Sequence, residues 1–326
     1  MNEYKIIVCL LLLLVLLRSP PSNTIIIAPT LRCKPYNGRD TLLIPLSRDH
    51  NNIFLMYIKV NKSWIKAAVD TGSRLLLVSG SDCATCTKQG PTSTVSYGSQ
   101  SSSVQQHEDA FVTLNTFRYQ CNQNFESFPT AMPFASDKQC LTTQANVNVA
   151  LNFYGTSAYN VVGLNANSTF LRSLMPVSPR AFSIHIRRLY DASLMLYVPG
   201  IDCHVANHFL TMDRGLVRIQ GLEINARAFP KGNSRHVLLD TGSNALSVPS
   251  TLYQAMPRRG RMTVKLMTVE GEPFRLTFPY NKGDSYNAQV IETSGDKIIV
   301  GVTFLVGYAV GSVQQGHINY VTIDRL

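Results

Sequence analysis

Several apolar stretches of the chain have the alternation and composition of β-strands. Asn52 to Val60 alternates apolar with polar residues and is rich in Ile, Phe, Tyr and Val, so it predicts a strand. Near the C-terminus, residues 298–313 carry no charge over 16 positions. Their glycines favour buried β-structure rather than a membrane span. Neither helical heptads nor repeats of roughly 20–50 residues occur along the chain.

One short sequence occurs twice, as Ala68–Ser73 and as Leu238–Ser243. In each copy an apolar run leads into Asp-Thr-Gly-Ser, and a second apolar run follows, at 75–78 and at 245–248. The pattern predicts a strand, a tight loop and another strand, because glycine permits the sharp turn between them. The two aspartates are 170 residues apart, about half of the 326-residue chain, which indicates two related halves.

The repeated loops supply one carboxylate each, from Asp70 and Asp240. Two carboxylates in contact cannot both ionise cheaply, so they share a proton and titrate as a unit. One then takes a proton from water while the other donates a proton to a carbonyl oxygen, which hydrolyses an amide without metal or covalent intermediate. A single Asp-Thr-Gly is an ordinary turn, but two copies between apolar runs favour one shared site over two unrelated turns.

On these motifs the chain resembles the pepsin-like aspartic proteases from about Leu42 to its C-terminus. The resemblance implies an all-β fold of two related lobes, 42–180 and 181–326, with the active-site cleft between them. It also implies catalytic Asp70 and Asp240, a peptide or protein substrate, a monomer, and no metal or other cofactor. In the family the loop threonines lock the two loops together and the loop serines hydrogen-bond the carboxylates. The corresponding loop residues here are Thr71, Gly72, Ser73, Thr241, Gly242 and Ser243.

The segment from residue 93 to 106 resembles the flap, a β-hairpin that closes over bound peptide and excludes water. A plain surface hairpin is the alternative interpretation. Two positions depart from the family pattern: Leu77 stands where the family has a tryptophan, and Gln100 where it has a glycine at the hairpin tip. The flap residues implied to contact substrate are Tyr97, Gly98 and Ser99.

Two further segments, Val161–Leu164 and Ile299–Gly301, match the hydrophobic-hydrophobic-glycine strands of the same family. In that fold each of these strands passes beside a catalytic loop and supports it from behind. Two unrelated strands with a bend are the alternative, but the segments follow the two aspartates in the expected order. The resemblance therefore assigns a supporting strand to each loop.

The first 21 residues are expected to be a signal peptide. Lys5 precedes an unbroken apolar run of 12 residues from Ile6 to Leu17, which is too short for a comfortable membrane span. An uncleaved anchor that extends towards Ile27 is the alternative. Residues 22–41 would then be a short prosegment or N-terminal extension. We expect a secreted, lumenal or vacuolar protein with no stable membrane span after cleavage.

Six of the seven cysteines lie beyond the leader, and entry to the secretory route makes disulfides the expected state. Pepsin-like enzymes carry a small disulfide loop after the first aspartate, where this chain has Cys83-Ala-Thr-Cys86. A redox or zinc half-site is the alternative, but no second CxxC and no paired histidines accompany it. Six cysteines allow 15 connectivities; the resemblance implies Cys83–Cys86, a local bridge Cys121–Cys140 is the next hypothesis, and Cys33–Cys203 is a hypothesis by elimination.

The formal net charge is +10, and two basic clusters contribute to it, Arg187–Arg188 and Arg258–Arg261. Neither cluster has interleaved aromatic residues, so we interpret both as solvated loop charges and predict no nucleic-acid partner. Only 15% of the residues are charged and 45% are hydrophobic, which excludes wholesale disorder and provides for a sizeable core. Sequons at Asn61 and Asn167 are predicted glycosylation sites.

Two classes of function follow from the sequence. The first is an active endopeptidase with an acidic working pH, because one carboxyl of the pair must hold a proton. The second is a protein of the same fold that binds without cleaving. Leu77, Gln100 and the short segment at 22–41 motivate the second class, whereas two intact Asp-Thr-Gly-Ser loops favour the first.

Overall fold

The strands of the computed structural model follow the alternation of apolar and polar residues along the chain. In the strand Arg259–Met267, Met262, Val264 and Leu266 are buried, whereas Arg261 is exposed. Successive strand residues point to opposite faces of a sheet. This segment therefore packs one face against the core and presents the other to solvent.

The structure describes most of the chain beyond the leader, and every described residue belongs to one compact unit, Lys34–Leu326. The described residues are 34–35, 41–83, 85–86, 89–97, 100–119, 138–154, 160–165, 168–174, 181–197, 207–212, 215–230, 232, 234–283, 289–315 and 318–326.

Strands account for nearly all the regular structure. Those of the first part of the chain are β1 Lys34–Pro35, β2 Thr41–Pro45, β3 Ser47–Arg48, β4 Phe54–Val60, β5 Ser63–Asp70, β6 Leu76–Ser79, β7 Gln89–Tyr97, β8 Gln100–Tyr119, β9 Lys138–Tyr154 and β10 Asn160–Gly163. Those that follow are β11 Ala181–Arg188, β12 Asp191–Tyr197, β13 Asn207–Met212, β14 Leu216–Arg218, β15 Gly221–Ile224, β16 Arg227–Ala228, β17 His236–Asp240, β18 Leu246–Pro249, β19 Arg259–Met267, β20 Pro273–Asn281, β21 Val290–Thr293, β22 Ile298–Gly301, β23 Tyr308–Gln315 and β24 Ile318–Arg325. The described helices are short: α1 Thr169–Leu174, α2 Ser250–Ala255 and a 3₁₀ turn, Val302–Phe304.

Six strands from distant parts of the chain form one antiparallel sheet in the order β2–β12–β11–β23–β24–β13. β2 precedes both aspartate loops in sequence, whereas the other five strands come from beyond residue 180. The register pairs Leu43 with Met195 and Ser183 with Gly311. β2, near the beginning of the described chain, and β24, at its end, therefore lie in the same hydrogen-bonded sheet.

One three-stranded arrangement occurs twice, around the two Asp-Thr-Gly-Ser loops. β10 pairs in parallel with β5 and antiparallel with β6, and β22 pairs in the same two ways with β17 and β18. The register places Gly163 opposite Asp70 and Gly301 opposite Asp240. A Cβ atom at Gly163 would lie 2.6 Å from the backbone nitrogen of Leu75, so only glycine lets the strand and the loop approach this closely. The sequence repeat is therefore also a repeat of local topology.

A smaller sheet, in the order β16–β15–β19–β20, packs its apolar face on the same core as the larger sheets. Phenylalanines from separate strands and from α1 are among the largest fully buried side chains, each stabilising the fold by roughly 1.5–3 kcal/mol through burial. Most buried apolar residues form one continuous cluster. The fully buried phenylalanines are Phe54, Phe170, Phe182 and Phe209.

The all-β class expected from the sequence is confirmed, and the predicted strand at 52–60 is present as β4. The apolar stretch at 298–313 forms β22, the 3₁₀ turn and most of β23. Within the described residues, no helix is long and apolar enough to cross a membrane.

Two local expectations were wrong. Gln100 is not a hairpin tip: it is the first residue of β8 and pairs with Tyr97. The basic clusters do not lie in loops, since Arg187–Arg188 end β11 and Arg259–Arg261 begin β19. Gln100 pairs with Tyr97 and Arg188 pairs with Asp191, so hairpin pairing rather than residue type makes these positions part of a strand.

Several sequence predictions concern positions outside the described residues. These are the signal peptide at 1–21, most of the extension at 22–41, Gly98, Ser99, Cys33, Cys121, Asn167 and Cys203. The proposed boundary near residue 180 is likewise preceded by a stretch, 175–180, outside the described residues. These remain predictions.

Replacing Gly311 by alanine should destabilise the fold. The added Cβ would overlap the carbonyl oxygen of Phe182 and lie 2.9 Å from the Cα of Ser183, both backbone atoms of the neighbouring strand. We expect a loss of about 1–3 kcal/mol in the free energy of unfolding, measured by chemical denaturation. Gly295→Ala is the matched control, because its nearest neighbour would be a side-chain oxygen at 3.7 Å. Equal losses in the two variants would contradict the packing argument.

Candidate active site

Asp70 and Asp240 are the last residues of two buried strands, β5 and β17. The strands end there because Thr-Gly follows and turns the chain, and in both loops the serine N–H donates back to the aspartate carbonyl, at 3.5 Å for Ser73 and 3.3 Å for Ser243. Each carboxyl is therefore fixed at the end of a rigid element rather than on a mobile tip.

The two loops are joined by reciprocal hydrogen bonds of Thr71 and Thr241. The Thr71 hydroxyl donates to the Leu239 carbonyl and the Thr241 hydroxyl donates to the Val69 carbonyl, each at 2.7 Å. Each hydroxyl also accepts the N–H of the opposite threonine, at 3.2 Å for Thr71 N–H and 3.0 Å for Thr241 N–H. Four bonds thus hold together loops that are 170 residues apart in sequence.

The glycines of the loops bring the carboxyls together. Gly72 N–H donates to Oδ1 of Asp70 at 2.8 Å, and Gly242 N–H donates to Oδ1 of Asp240 at 2.9 Å. A Cβ atom at Gly72 would lie 2.8 Å from Cγ of Asp240, and one at Gly242 would overlap the carboxyl of Asp70. Each glycine therefore supports its own aspartate and leaves room for the opposite one.

The two carboxyls lie close enough for the charge of one to act on the other. Burial raises the pKa of Asp240 well above its ordinary value of 3.8, and the negative charge of Asp70 and a hydrogen bond between the carboxyls raise this pKa further. The Gly242 N–H and the charge of Lys297 act in the opposite direction and are weaker. Part of Asp240 remains accessible to solvent, and Asp70 is 9% exposed. Asp240 therefore keeps its proton to a higher pH than an ordinary aspartate does.

The two loop serines make different hydrogen bonds, although the two loops have the same sequence. The hydroxyl of Ser73 donates to Oδ2 of Asp70. The hydroxyl of Ser243 instead accepts the N–H of Ala245, at 3.3 Å, and among the described residues it makes no bond to Asp240. The expectation that both serines bind their carboxylates is therefore met on the first loop and not on the second. Among the described residues the loops therefore supply two donors to the side chain of Asp70, Gly72 N–H and the Ser73 hydroxyl, and one to that of Asp240, Gly242 N–H.

Strands β10 and β22 support the loops from behind. Leu164 N–H donates to the carbonyl of Asp70 at 2.8 Å, and Gly163 N–H donates to that of Leu75 at 3.0 Å. On the second loop, Gly301 N–H donates to the Ala245 carbonyl at 3.0 Å and Val302 N–H to the Ser243 carbonyl at 2.7 Å. Both segments lie where the hydrophobic-hydrophobic-glycine pattern predicted a strand beside a loop.

A buried asparagine that the motif search missed ties these strands together. Asn160, on β10, accepts the N–H of Ser79 at 2.7 Å and donates to the Lys66 carbonyl at 3.0 Å and to Asp82 at 2.7 Å. It therefore links β5, β6 and β10 beside the first loop. A lone Asn before Val-Val-Gly carries no signal in one sequence, because only the strand pairing brings its partners near.

The expected flap is a hairpin of β7 and β8 in which Tyr97 is the last residue of β7. Val95 of this hairpin packs on a buried cluster that includes Leu77 and Val161. Leu77, fully buried, follows the first aspartate loop, so the hairpin contacts the strand that leaves that loop. Gly98 and Ser99, the other two expected flap residues, are outside the described residues.

The remaining expected sites are the bridge cysteines and the glycosylation sequons. Cys83 and Cys86 form a disulfide, and Cys140 is also disulfide-bonded, whereas the other three predicted bridge cysteines are outside the described residues. The carbonyl oxygen of the Asn61 side chain accepts the N–H of Phe111 at 3.0 Å. In the part of the chain that the structure describes, no group of three or more His, Cys, Asp or Glu side chains is placed to hold a metal ion.

Comparison of the chain with protein-family models and with curated proteins finds no match.

Removing either threonine hydroxyl should weaken the fold. Thr71→Val or Thr241→Val keeps the shape but leaves a backbone carbonyl and an N–H of the opposite loop without their partner. We expect a loss of about 1–3 kcal/mol for each variant, and a double variant that loses less than the sum, since both hydroxyls join the same loops. Thr113→Val, whose hydroxyl meets that of Thr142 at the surface, is the control. Strict additivity in denaturation experiments would argue against a joint lock.

Asp240→Asn should stabilise the protein at neutral pH and not at low pH. Because the pKa of Asp240 is raised on folding, the folded state binds its proton more tightly. This contribution to the free energy of unfolding is fully present below about pH 3.8 and is lost as the pH rises through the folded-state pKa. Asparagine stays neutral throughout, so its advantage over the native chain grows with pH. Thermal unfolding from pH 3 to 8 measures it, with exposed Asp109→Asn as the control. A native chain that becomes relatively more stable as the pH rises would contradict the assignment.

Proposed function

We propose that the chain is an aspartic endopeptidase of the pepsin-like, bilobal fold. The observation that carries this proposal is the meeting of two Asp-Thr-Gly-Ser loops, in which the glycine of each loop lies against the carboxyl of the other and the pKa of Asp240 is raised by burial and by the charge of Asp70. The repeated strand–loop–strand topology around the loops supports two related lobes, 42–180 and 181–326. The six-stranded sheet that gathers strands from both ends of the chain supports a joint between those lobes.

The proposed mechanism assigns different roles to the two acids. Asp70, with the Gly72 N–H and the Ser73 hydroxyl as donors, is the ionised member and takes a proton from the attacking water. Asp240, which holds the shared proton, donates it to the carbonyl oxygen of the peptide bond. The tetrahedral intermediate breaks down when the proton on Asp70 passes to the leaving nitrogen and one hydroxyl proton returns to Asp240. No metal and no other cofactor takes part in this mechanism.

The substrate is proposed to be an extended peptide. Such a peptide would pair with strand edges beside the loops, with the β7–β8 hairpin and its Tyr97, Gly98 and Ser99 closing over it. A secretory location is proposed from the leader and is supported by the Cys83–Cys86 disulfide, since disulfides persist in oxidising compartments.

A second candidate is a protein of this fold that binds peptides without cleaving them. The observation that favours it is the Ser243 hydroxyl, which makes no bond to Asp240 among the described residues. Without the Ser243 hydroxyl as a hydrogen-bond donor, the ionised form of Asp240 would be stabilised less. The experiment below separates the two candidates.

Cleavage of a diverse peptide library from pH 3 to 7 tests the proposed activity. We expect activity at acidic pH that falls as Asp240 loses its proton, and inhibition by a statine-type compound. Asp70→Asn and Asp240→Asn should each reduce the rate by roughly 10²–10⁴-fold, the usual contribution of acid–base catalysis. Asp109→Asn removes an exposed carboxylate of β8 and should leave the rate unchanged.

Two outcomes would reject the endopeptidase proposal. The first is a rate that stays constant from pH 3 to pH 8. The second is the absence of cleavage by a native chain that binds library peptides and shows a cooperative unfolding transition, which would favour the binding protein.

A further inference from the structure

Three exposed aromatic side chains lie on one face of the sheet formed by β4, β5 and β8. Tyr57 is 45% exposed, Trp64 39% and Phe111 55%. The residues between them on the same strands, such as Ile58 and Ile65, are buried, so the three rings point away from the core. Large apolar side chains gathered on one exposed face are typical of a contact surface.

Lysines alternate with these rings on the same face. The register pairs Tyr57 with Lys66 and Trp64 with Lys59. Residues paired across antiparallel strands lie side by side on one face. Lys59 also pairs with Thr113, two residues from Phe111, so this lysine lies among all three rings. We call Tyr57, Lys59, Trp64, Lys66 and Phe111 the aromatic–lysine face.

The charge of this face is positive at its centre. The ammonium of Lys66 lies 5.7 Å from the centroid of the Tyr57 ring, an arrangement in which the ring attracts the cation. Lys62, in the turn between β4 and β5, adds a third positive charge. Glu108 and Asp109 lie at the end of the face, where β8 has an irregularity in its register between His107 and Ala110. An anionic partner is therefore favoured over the rings and lysines and disfavoured beyond Phe111.

We propose that the aromatic–lysine face docks the folded protein on an anionic phospholipid surface. Trp and Tyr are the residues that settle at the headgroup level of a bilayer, and lysine stems cover apolar surface while their charges reach the headgroups. Anionic lipids attract each lysine near the surface. Phe111, the most exposed ring, gains from contact with acyl chains and would gain little from a hydrated polyanion. The face also lacks arginine, the residue best suited to bind phosphates in nucleic acids.

The docking is peripheral and reversible, and it does not depend on the proposed peptidase activity. Three rings on a flat sheet reach only the boundary between headgroups and acyl chains. The aspartate loops contribute nothing to the face, so a chain without catalytic activity would dock equally well.

Trp64 reports directly on the proposal, because it is the only tryptophan of the chain. The full chain is titrated with vesicles of phosphatidylcholine, with and without phosphatidylserine. We expect a blue shift of the Trp64 emission only when phosphatidylserine is present, and a weaker shift as salt screens the lysines. Co-sedimentation measures the partition coefficient in parallel.

Matched variants separate the contribution of charge to docking from the contribution of apolar contact. Lys59→Gln and Lys66→Gln should each lower the partition coefficient about fivefold. The control for the pair is Arg259→Gln with Arg261→Gln, the same change of net charge on β19, which should alter the coefficient less than twofold and keep the blue shift. Phe111→Ser should weaken docking, whereas Leu210→Ser, at a side chain that is 60% exposed on β13, should not.

Four results would overturn the proposal. Vesicles that bind the chain without moving the Trp64 emission would place membrane contact elsewhere, for example in the leader. A blue shift that depends on protein concentration without vesicles would mean that a second copy covers the face. A shift with heparin or single-stranded DNA and none with vesicles would identify a polyanion site. No binding at low salt would reject the face altogether.

Discussion

The exchange of hydrogen bonds between Thr71 and Thr241 is the constraint on which the site depends. Each hydroxyl donates to a carbonyl of the opposite strand and accepts the N–H of the opposite threonine, so neither threonine can shift without breaking bonds to the other loop. The strands behind the loops are themselves held by β10 and β22. The positions of the two carboxyls are thus set by main-chain geometry rather than by their own flexible side chains.

The loops bring two acids together although their negative charges repel each other. Two carboxyls in a buried site repel each other when both are charged, and the protein lowers that cost by keeping one proton between them. Gly72 and Gly242 supply N–H donors to each acid, and Ser73 adds a donor on the side of Asp70 alone. The pKa of Asp240 is raised first by burial and then by the charge of Asp70 beside it. A site of this kind is destabilised at neutral pH and suited to proton transfer, a conflict common at functional sites.

The two aspartate loops and the strands around them could be predicted from the sequence, because the pattern that specifies them is local. Apolar runs on both sides of Asp-Thr-Gly-Ser fix strand, loop and strand, and the two glycine-containing segments lie beside the loops as their order suggested. What failed depends on strand pairing, which residue types alone do not reveal. Gln100 lies in a strand because it pairs with Tyr97, and the Arg259–Arg261 cluster lies in a strand because β20 pairs with it. The different bonding of Ser73 and Ser243 has no sequence signal at all, since the two loops share the same four letters.

The contact between Gly72 and the carboxyl of Asp240, mirrored at Gly242 and Asp70, has a consequence for how the two copies can change. After a duplication, each copy ordinarily drifts on its own. Here the glycine of one loop lies directly against the carboxyl of the other loop, with no room for a side chain between them. A side chain gained on the first loop would displace the acid of the second, and the reverse is equally true. Both loops must therefore keep the same glycine for as long as their acids share a proton, even if the sequences of the surrounding sheets change.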